Sequence, residues 1–421
     1  MNSKLFKTLG IFVLLPVLIS GIAAIIGSGG GGGDGNDSWL FPLWVSTDIA
    51  VSDFDGDGRN DVLTLARLSK SMSDHEGHLN IYHQLADGTF WEEDHTLGEY
   101  PWQIAAGDLN DDGLPDLLVT DVALNEVWLL GQDSLNNEMF LPPQRVASGL
   151  KAYNAAIADF NNDNTSDIAL VDNRTGPKRI VMLYQDPSKP GTFLPAEDLG
   201  LQGTSDNITT GDLNGDGLAD LLVWIYLEPT GYTPNGVLAV SLQQPDGSLG
   251  PFTTLAPQTG LNAKNLMIAD YNDDGANDLF IFFTPFSEEY HAKFTVILQN
   301  PESGTFLTPI DTSLLNIKGI DDAVVADLNE DGKPDYAVVG FFPEGSPSVV
   351  YCHLNLFIQS GSGTFDLADV YDIPISASRV ASGDIDGDEL DDLVVLGSEN
   401  EVLVLLQSQT KNGTFDSPKP L

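Results

Sequence analysis

Asp212-Leu213-Asn214-Gly215-Asp216-Gly217-Leu218-Ala219-Asp220 sets oxygen-bearing side chains at positions 1, 3, 5 and 9 of a nonapeptide, with glycine at position 6. The pattern recurs upstream as Asp53, Asp55, Asp57, Asp61; as Asp108, Asn110, Asp112, Asp116; and as Asp159, Asn161, Asp163, Asp167. Downstream it recurs as Asp270, Asn272, Asp274, Asp278; as Asp327, Asn329, Asp331, Asp335; and as Asp384, Asp386, Asp388, Asp392. The first aspartates are 55, 51, 53, 58, 57 and 57 residues apart. A motif repeated at a nearly constant period marks one structural unit per copy. A second marker, Gly-Thr-Phe, ends at Phe90, Phe193, Phe306, Phe365 and Phe415, with looser counterparts at Phe140 and Phe252. Both markers occur seven times, from about residue 39 to the end.

Each unit reads as four short strands. A small apolar stretch precedes the nonapeptide, such as Ile104-Ala105-Ala106 or Val324-Val325-Ala326. A β-rich run follows it, such as Leu117–Thr120 or Leu279–Phe283, and then a third run such as Val127–Leu130 or Val402–Leu406. The marker phenylalanine opens a fourth, more polar strand. No stretch holds a helical apolar period. Seven such units predict an all-β, seven-bladed β-propeller over residues 39–421, with first strands at the axis and fourth strands at the rim. Residues Trp39 to Trp44 are expected to supply or cover the rim strand of the last blade.

The nonapeptide chemistry suits Ca²⁺, a hard cation that takes about six to eight oxygens in loose geometry. The side chains at positions 1, 3, 5 and 9 and the carbonyl of position 7 are the expected ligands, so up to seven Ca²⁺ are predicted. Position 6 must turn sharply, which suits Gly58, Gly113, Gly217, Gly275 and Gly332. Asn164 tolerates the same turn and Glu389 does not, so the seventh loop is expected to be weakest and the third next. An EF-hand requires a glutamate at position 12, where this chain has Thr64, Val119, Leu170, Val223, Ile281, Val338 and Val395. Plain turns would gain nothing from carboxylates crowded at fixed offsets, since their repulsion needs a neutralising cation.

With these motifs the unit resembles the FG-GAP/VCBS repeat, the blade of the integrin α-subunit head and of many secreted bacterial proteins. The resemblance covers nearly all of the chain after its first segment. It implies that the metal loop joins the first and second strands of each blade on one face, and that ligands are met on the other. It also implies the four named side chains of each unit as the metal ligands.

Bulk properties agree. The chain has 421 residues with 62 acidic and 18 basic side chains, a net charge of −44. Such a surface repels nucleic acid and anionic lipid, so neither is an expected partner. Positions 1, 3, 5 and 9 of the nonapeptides hold 23 of the aspartates, and seven Ca²⁺ would bring −44 to −30. The single cysteine, Cys352, rules out an internal disulfide and reads as a small structural residue in a strand. Lys4 and Lys7 precede an apolar run from Ile11 to Ile26, which reads as a signal peptide over 1–28, followed by a glycine-rich linker over 29–38. Export to the periplasm, cell surface or medium is therefore expected, with an uncleaved signal anchor as the alternative.

A binding or adhesion module for a protein or carbohydrate ligand is the first functional expectation, in a monomer. Tyr100, Trp102, Tyr153, Arg174, Lys178, Arg179 and Arg379 fall on the loops opposite the metals. Trp102 and Tyr153 would either bind ligand or plug the axis. The alternative is a lyase-like polysaccharide enzyme on the same propeller, but no nucleophile, phosphate-loop or zinc motif is present. Of six histidines, His75, His78, His83 and His95 lie in the first unit. His75 and His78, with Asp74 and Glu76, read as a solvated polar loop.

Overall fold

The structure, a computed structural model, describes residues 43–421 except 72–73, 133–139, 174–178, 202–203, 228–234, 260, 286–290, 315–316, 318, 343–350 and 361–363. The signal segment, the linker, Arg174 and Lys178 lie outside the described residues.

Among the described residues there are no helices, and no helix is long and apolar enough to cross a membrane. The chain forms seven four-stranded antiparallel sheets in succession, one per sequence unit, giving a seven-bladed β-propeller. Blade 1 is Leu43–Ser52, Asp61–Ser71, Asp74–Gln84 and Phe90–Thr96, paired in chain order. The later blades open at Pro101–Gly107, Ala152–Ala158, Thr204–Gly211, Leu261–Ala269, Gly319–Ala326 and Ala377–Gly383.

Residue types explain the layering. The second strands Asp116–Asp121, Asp167–Asp172 and Asp392–Gly397 are buried at every residue. They are sandwiched between neighbouring blades, so they read as continuous apolar runs rather than alternating ones. Outer strands such as Thr364–Ile373 are mostly exposed. One apolar cluster fills each of the seven joints between blades; Leu63, Leu79, Ile104 and Val119 meet between blades 1 and 2. Position 2 of every nonapeptide plugs the joint to the next blade: Phe54, Leu109, Phe160, Leu213, Tyr271, Leu328 and Ile385 are all 5% exposed or less. Each contributes on the order of 1.5–3 kcal/mol by burial.

The ring closes between blades 7 and 1, where Val62 packs with Ile385, Val394 and Val404. Ser46 N donates to Ser398 O at 3.1 Å. Blade 7 is completed by its own outer strand, Lys419–Pro420, paired with Leu403 and Val404. Trp44 instead pairs with Leu68 in the innermost layer of blade 1. The expected rim role is therefore corrected for Leu43 and Trp44, since each blade already has four strands of its own; residues 39–42 lie outside the described residues.

Beside a register irregularity in the first strands, one polar side chain per blade faces the axis: Asp48, Gln103, Asn154, Asn207, Asn265, Asp322 and Arg379. Several reach the next blade. Asp48 Oδ2 accepts from Ile104 N at 2.8 Å, and Gln103 Oε1 accepts from Ala155 N at 2.6 Å. Asn207 Nδ2 donates to Lys264 O at 2.8 Å and Asn265 Nδ2 to Asp322 Oδ1 at 2.6 Å. Asp322 Oδ2 accepts from Val380 N at 3.0 Å, and Arg379 Nε lies 3.6 Å from Asp48 Oδ1, closing the belt.

Candidate functional sites: the acidic loops and the axial cavity

All seven nonapeptides join first to second strands and share one backbone design. The position 1 aspartate accepts from the position 6 N–H at 2.7–2.9 Å in every loop. The position 9 aspartate opens the second strand and is at most 1% exposed. Its Oδ2 accepts from the position 2 N–H at 2.8–3.1 Å. Its Oδ1 accepts from the N–H of a buried glutamine at or just after the end of the third strand at 2.6–3.0 Å: Gln84, Gln132, Gln185, Gln243, Gln299, Gln359 or Gln407. Position 9 is thus fixed from both sides, with lone pairs remaining for a cation.

Position 6 is left-handed as expected, including Asn164 at φ 65° and Glu389 at φ 69°. Position 4 is left-handed too: Gly56, Asp111, Asn162, Gly215, Asp273, Glu330 and Gly387. Only blades 1 and 4 have glycine at both. Ranking the loops by position 6 alone is therefore incomplete, since Glu330 strains the sixth loop as Glu389 strains the seventh.

The next blade clasps the loops of blades 4, 7 and 5. Gln299 Nε2 donates to Leu213 O, Gln84 Nε2 to Ile385 O, and Gln359 Nε2 to Tyr271 O at 2.7 Å. The marker glycine abuts the preceding loop: a Cβ on Gly247 would lie 2.0 Å from Asn161 O, and one on Gly304 2.7 Å from Asn214 O. Its left-handed φ and this close approach both require glycine. The marker residue itself bridges the glutamine, as in Gln132↔Phe140 and Gln407↔Phe415. In blade 4 the bridge is Gln243↔Leu249, so Leu249, not Phe252, is the fourth marker.

The donors converge. Asp53, Asp55 and Asp57 lie together, as do Asp384, Asp386 and Asp392, with donor atoms within 4.8 Å of one another. Burial pushes Asp61, Asp116, Asp220 and Asp278 up to about 6, and Asp167, Asp335 and Asp392 up to about 7. Neighbouring loop carboxylates push in the same direction. Oxygen-only sets of this charge fit a hard divalent cation, which would remove that repulsion.

At the opposite end of the first strands lies an axial cavity of about 820 Å³. The polar belt lines it, with Trp102, Tyr153, Lys264 and Asp321 above. Trp102 and Tyr153 are half-buried, with ring centroids 5.0 Å apart, edge to face. Tyr100 adds a third ring 5.7 Å from Trp102. Cations cap this ladder, with the Arg67 guanidinium 4.0 Å from the Tyr100 ring and Lys151 Nζ 5.6 Å from that of Tyr153. Desolvation raises Asp48 and Asp321 to about 6. Arg379 stands in the cavity wall, but Arg179 is engaged by Asp172 and Asp198 on blade 3, at 3.1 and 3.0 Å.

Asp74, His75, Glu76 and His78 lie on the third strand of blade 1 rather than in a loop. His78 Nδ1 is 2.9 Å from Asp94 Oδ1, a cross-strand pairing that orders the segment. Cys352 is half-buried in a strand, and desolvation raises its thiol to about 11.

A family model described as FG-GAP-like repeat matches residues 53–119 and 159–223. Each match runs from one nonapeptide through the next and into the strand beyond it. No curated protein matches the chain significantly.

Proposed function

We infer, for a chain that carries FG-GAP-like repeats on a seven-bladed propeller, that it is an exported, calcium-stabilised module that binds a protein or carbohydrate ligand. The observation that carries this reading is the axial cavity with the Tyr100–Trp102–Tyr153 ladder at its mouth. Half-exposed rings beside carboxamides and charged groups suit a sugar face or a protein side chain, with stacking for affinity and the polar belt for orientation. We place binding ahead of catalysis because the belt carboxylates are already engaged, Asp48 and Asp322 by backbone N–H groups of the next blade and by Arg379. The acidic surface supports a partner that is neither nucleic acid nor anionic membrane.

Calcium belongs to the scaffold in this proposal. Its ligands are the side chains at positions 1, 3, 5 and 9 of each loop, and folded loops bind it where the unfolded chain does not. The cavity lies at the other end of the blades, so the ligand site and the cation sites act separately.

The test is a glycan array alongside a pull-down from an envelope fraction, each with the wild type and the Trp102→Ala/Tyr153→Ala double variant. Binding should fall at least tenfold while the calcium-dependent melt stays nearly unchanged. Unaltered affinity together with a large loss of stability would assign both rings to packing.

A further inference from the structure

Blade 1 departs from the other six at its metal loop. The residue just before the buried glutamine is Gly131, Tyr184, Leu242, Leu298, Ile358 or Leu406 in blades 2 to 7, and His83 in blade 1. His83 is 5% exposed, and neither of its ring nitrogens has a hydrogen-bond partner. Its Nδ1 is aimed into the loop, 3.9 Å from Asp55 Oδ2 and 3.9 Å from Asp61 Oδ1. The three donors lie within 4.8 Å of one another. Behind the ring, Nε2 lies 3.6 Å from Glu93 Oε2, and Glu93 Oε1 lies 3.1 Å from His95 Nε2. Trp91 stacks on the imidazole at 5.2 Å and fixes its plane.

A second feature sets this loop apart. Position 7 is Arg59, whose guanidinium pairs with Asp57, while its Nε donates to Gln84 O at 3.0 Å. Arg59 therefore neutralises one of the carboxylates that a calcium ion would use. The buried imidazole is costly here, since two nitrogens without hydrogen bonds carry a desolvation penalty that stacking on Trp91 does not remove.

We propose that the first blade's loop is a transition-metal site of the zinc class, held by His83 Nδ1, Asp55 and Asp61, with Glu93 orienting the imidazole through Nε2. One nitrogen and two carboxylate oxygens form a set that zinc takes and that calcium, which prefers oxygen alone, does not favour. A carboxylate behind a ligating histidine fixes its tautomer and strengthens its donor atom. Blades 2 to 7 have no nitrogen at this place, so one such ion per chain is expected. The inference rests on the reading that the loops hold cations.

The test is equilibrium dialysis of the full chain against micromolar Zn²⁺ in saturating Ca²⁺, with both metals counted. Wild type should retain one zinc per chain and His83→Leu none, with calcium content unaltered by the substitution. Leucine already fills this place in blades 4, 5 and 7. Glu93→Gln should weaken zinc by about tenfold to a hundredfold. Equal zinc in wild type and His83→Leu, or none in wild type with calcium bound, would overturn the proposal. Absence of both metals would overturn the cation reading of the loops as well. Should His83→Leu fail to fold, imidazole ¹⁵N spectra of the wild type decide: a zinc-dependent shift of His83 Nδ1 is expected, and its absence sinks the site.

Discussion

Blades 4 and 7 present the same four ligand positions, yet their loops are not equivalent. Blade 4 makes both left-handed turns with glycine, at Gly215 and Gly217. Blade 7 makes the first with Gly387 and the second with Glu389 at φ 69°. A side chain in that region costs on the order of 1 kcal/mol, which the rest of the loop must offset. Asp388 Oδ2 in blade 7 also accepts from Gln409 Nε2 at 2.9 Å. The pair teaches that a ligand list does not set affinity; the backbone that gathers the ligands decides how much of their attraction is left for the ion.

The largest effect should come from removing the cation. Chelator should lower the melting temperature by many degrees, since one site at a hundred times its dissociation constant adds about 2.7 kcal/mol. Coincident melts with and without chelator would remove the basis for comparing the loops at all.

Next comes the comparison itself. In Ca²⁺, Asp216→Ala should destabilise by about 1–2 kcal/mol more than Asp388→Ala, because the relaxed loop has more binding energy to lose. Equal losses in thermal melts would break the ranking.

Acidity offers an intermediate effect with a definite sign. The position 9 aspartates ionise at about 6 to 7 when folded, against about 3.9 in an unfolded chain. A raised carboxyl contributes stability that is fully present below about pH 4 and is lost as pH rises through 6 to 7. In chelator, denaturant midpoints should therefore rise as pH falls from 7.5 to 5. In Ca²⁺ the trend should flatten or reverse, because protons then compete with the ion.

The smallest effect is the sharpest. Glu389→Gly should stabilise by up to about 1 kcal/mol in either condition, and Gly217→Glu should destabilise by a similar amount. A Glu389→Gly variant that melts lower than wild type would show that Glu389 makes a contact outweighing its strain.

The ring and its count were legible because each unit carries its own punctuation: four oxygens at fixed offsets, in most units with a turn glycine and a closing aromatic. What stayed hidden depends on contacts distant in sequence. Gln84 receives its role from Asp61 and Ile385, the latter 301 residues away, and no local period announces it. The left-handed turn at position 4 was masked because Glu330 stands among residue types that tolerate it. Phe252 outshone Leu249 as a marker because aromaticity is conspicuous, whereas the bridge to Gln243 depends on backbone placement. The histidine strand of blade 1 read as a loop because its charges alternate with small residues, and its order comes from pairing to Ala66 and Thr96 across the sheet. In the candidate site, Trp102 and Tyr153 were singled out by type. The polar belt beneath them emerges only when seven first strands are laid side by side.

The acidic loops of blades 4, 5 and 7 are gripped by the glutamine of the blade that follows each in the ring, and this has a mechanical consequence. Six of the seven joints are also bridged by the chain itself, while the joint between blades 7 and 1 shares no strand and rests on apolar packing and a few hydrogen bonds such as Ser46 N to Ser398 O. Under load the ring should part there, between Ile385 and Gln84, before any blade unravels. An ion in the seventh loop, beside that joint, would act as the latch on the one gap the polypeptide does not span.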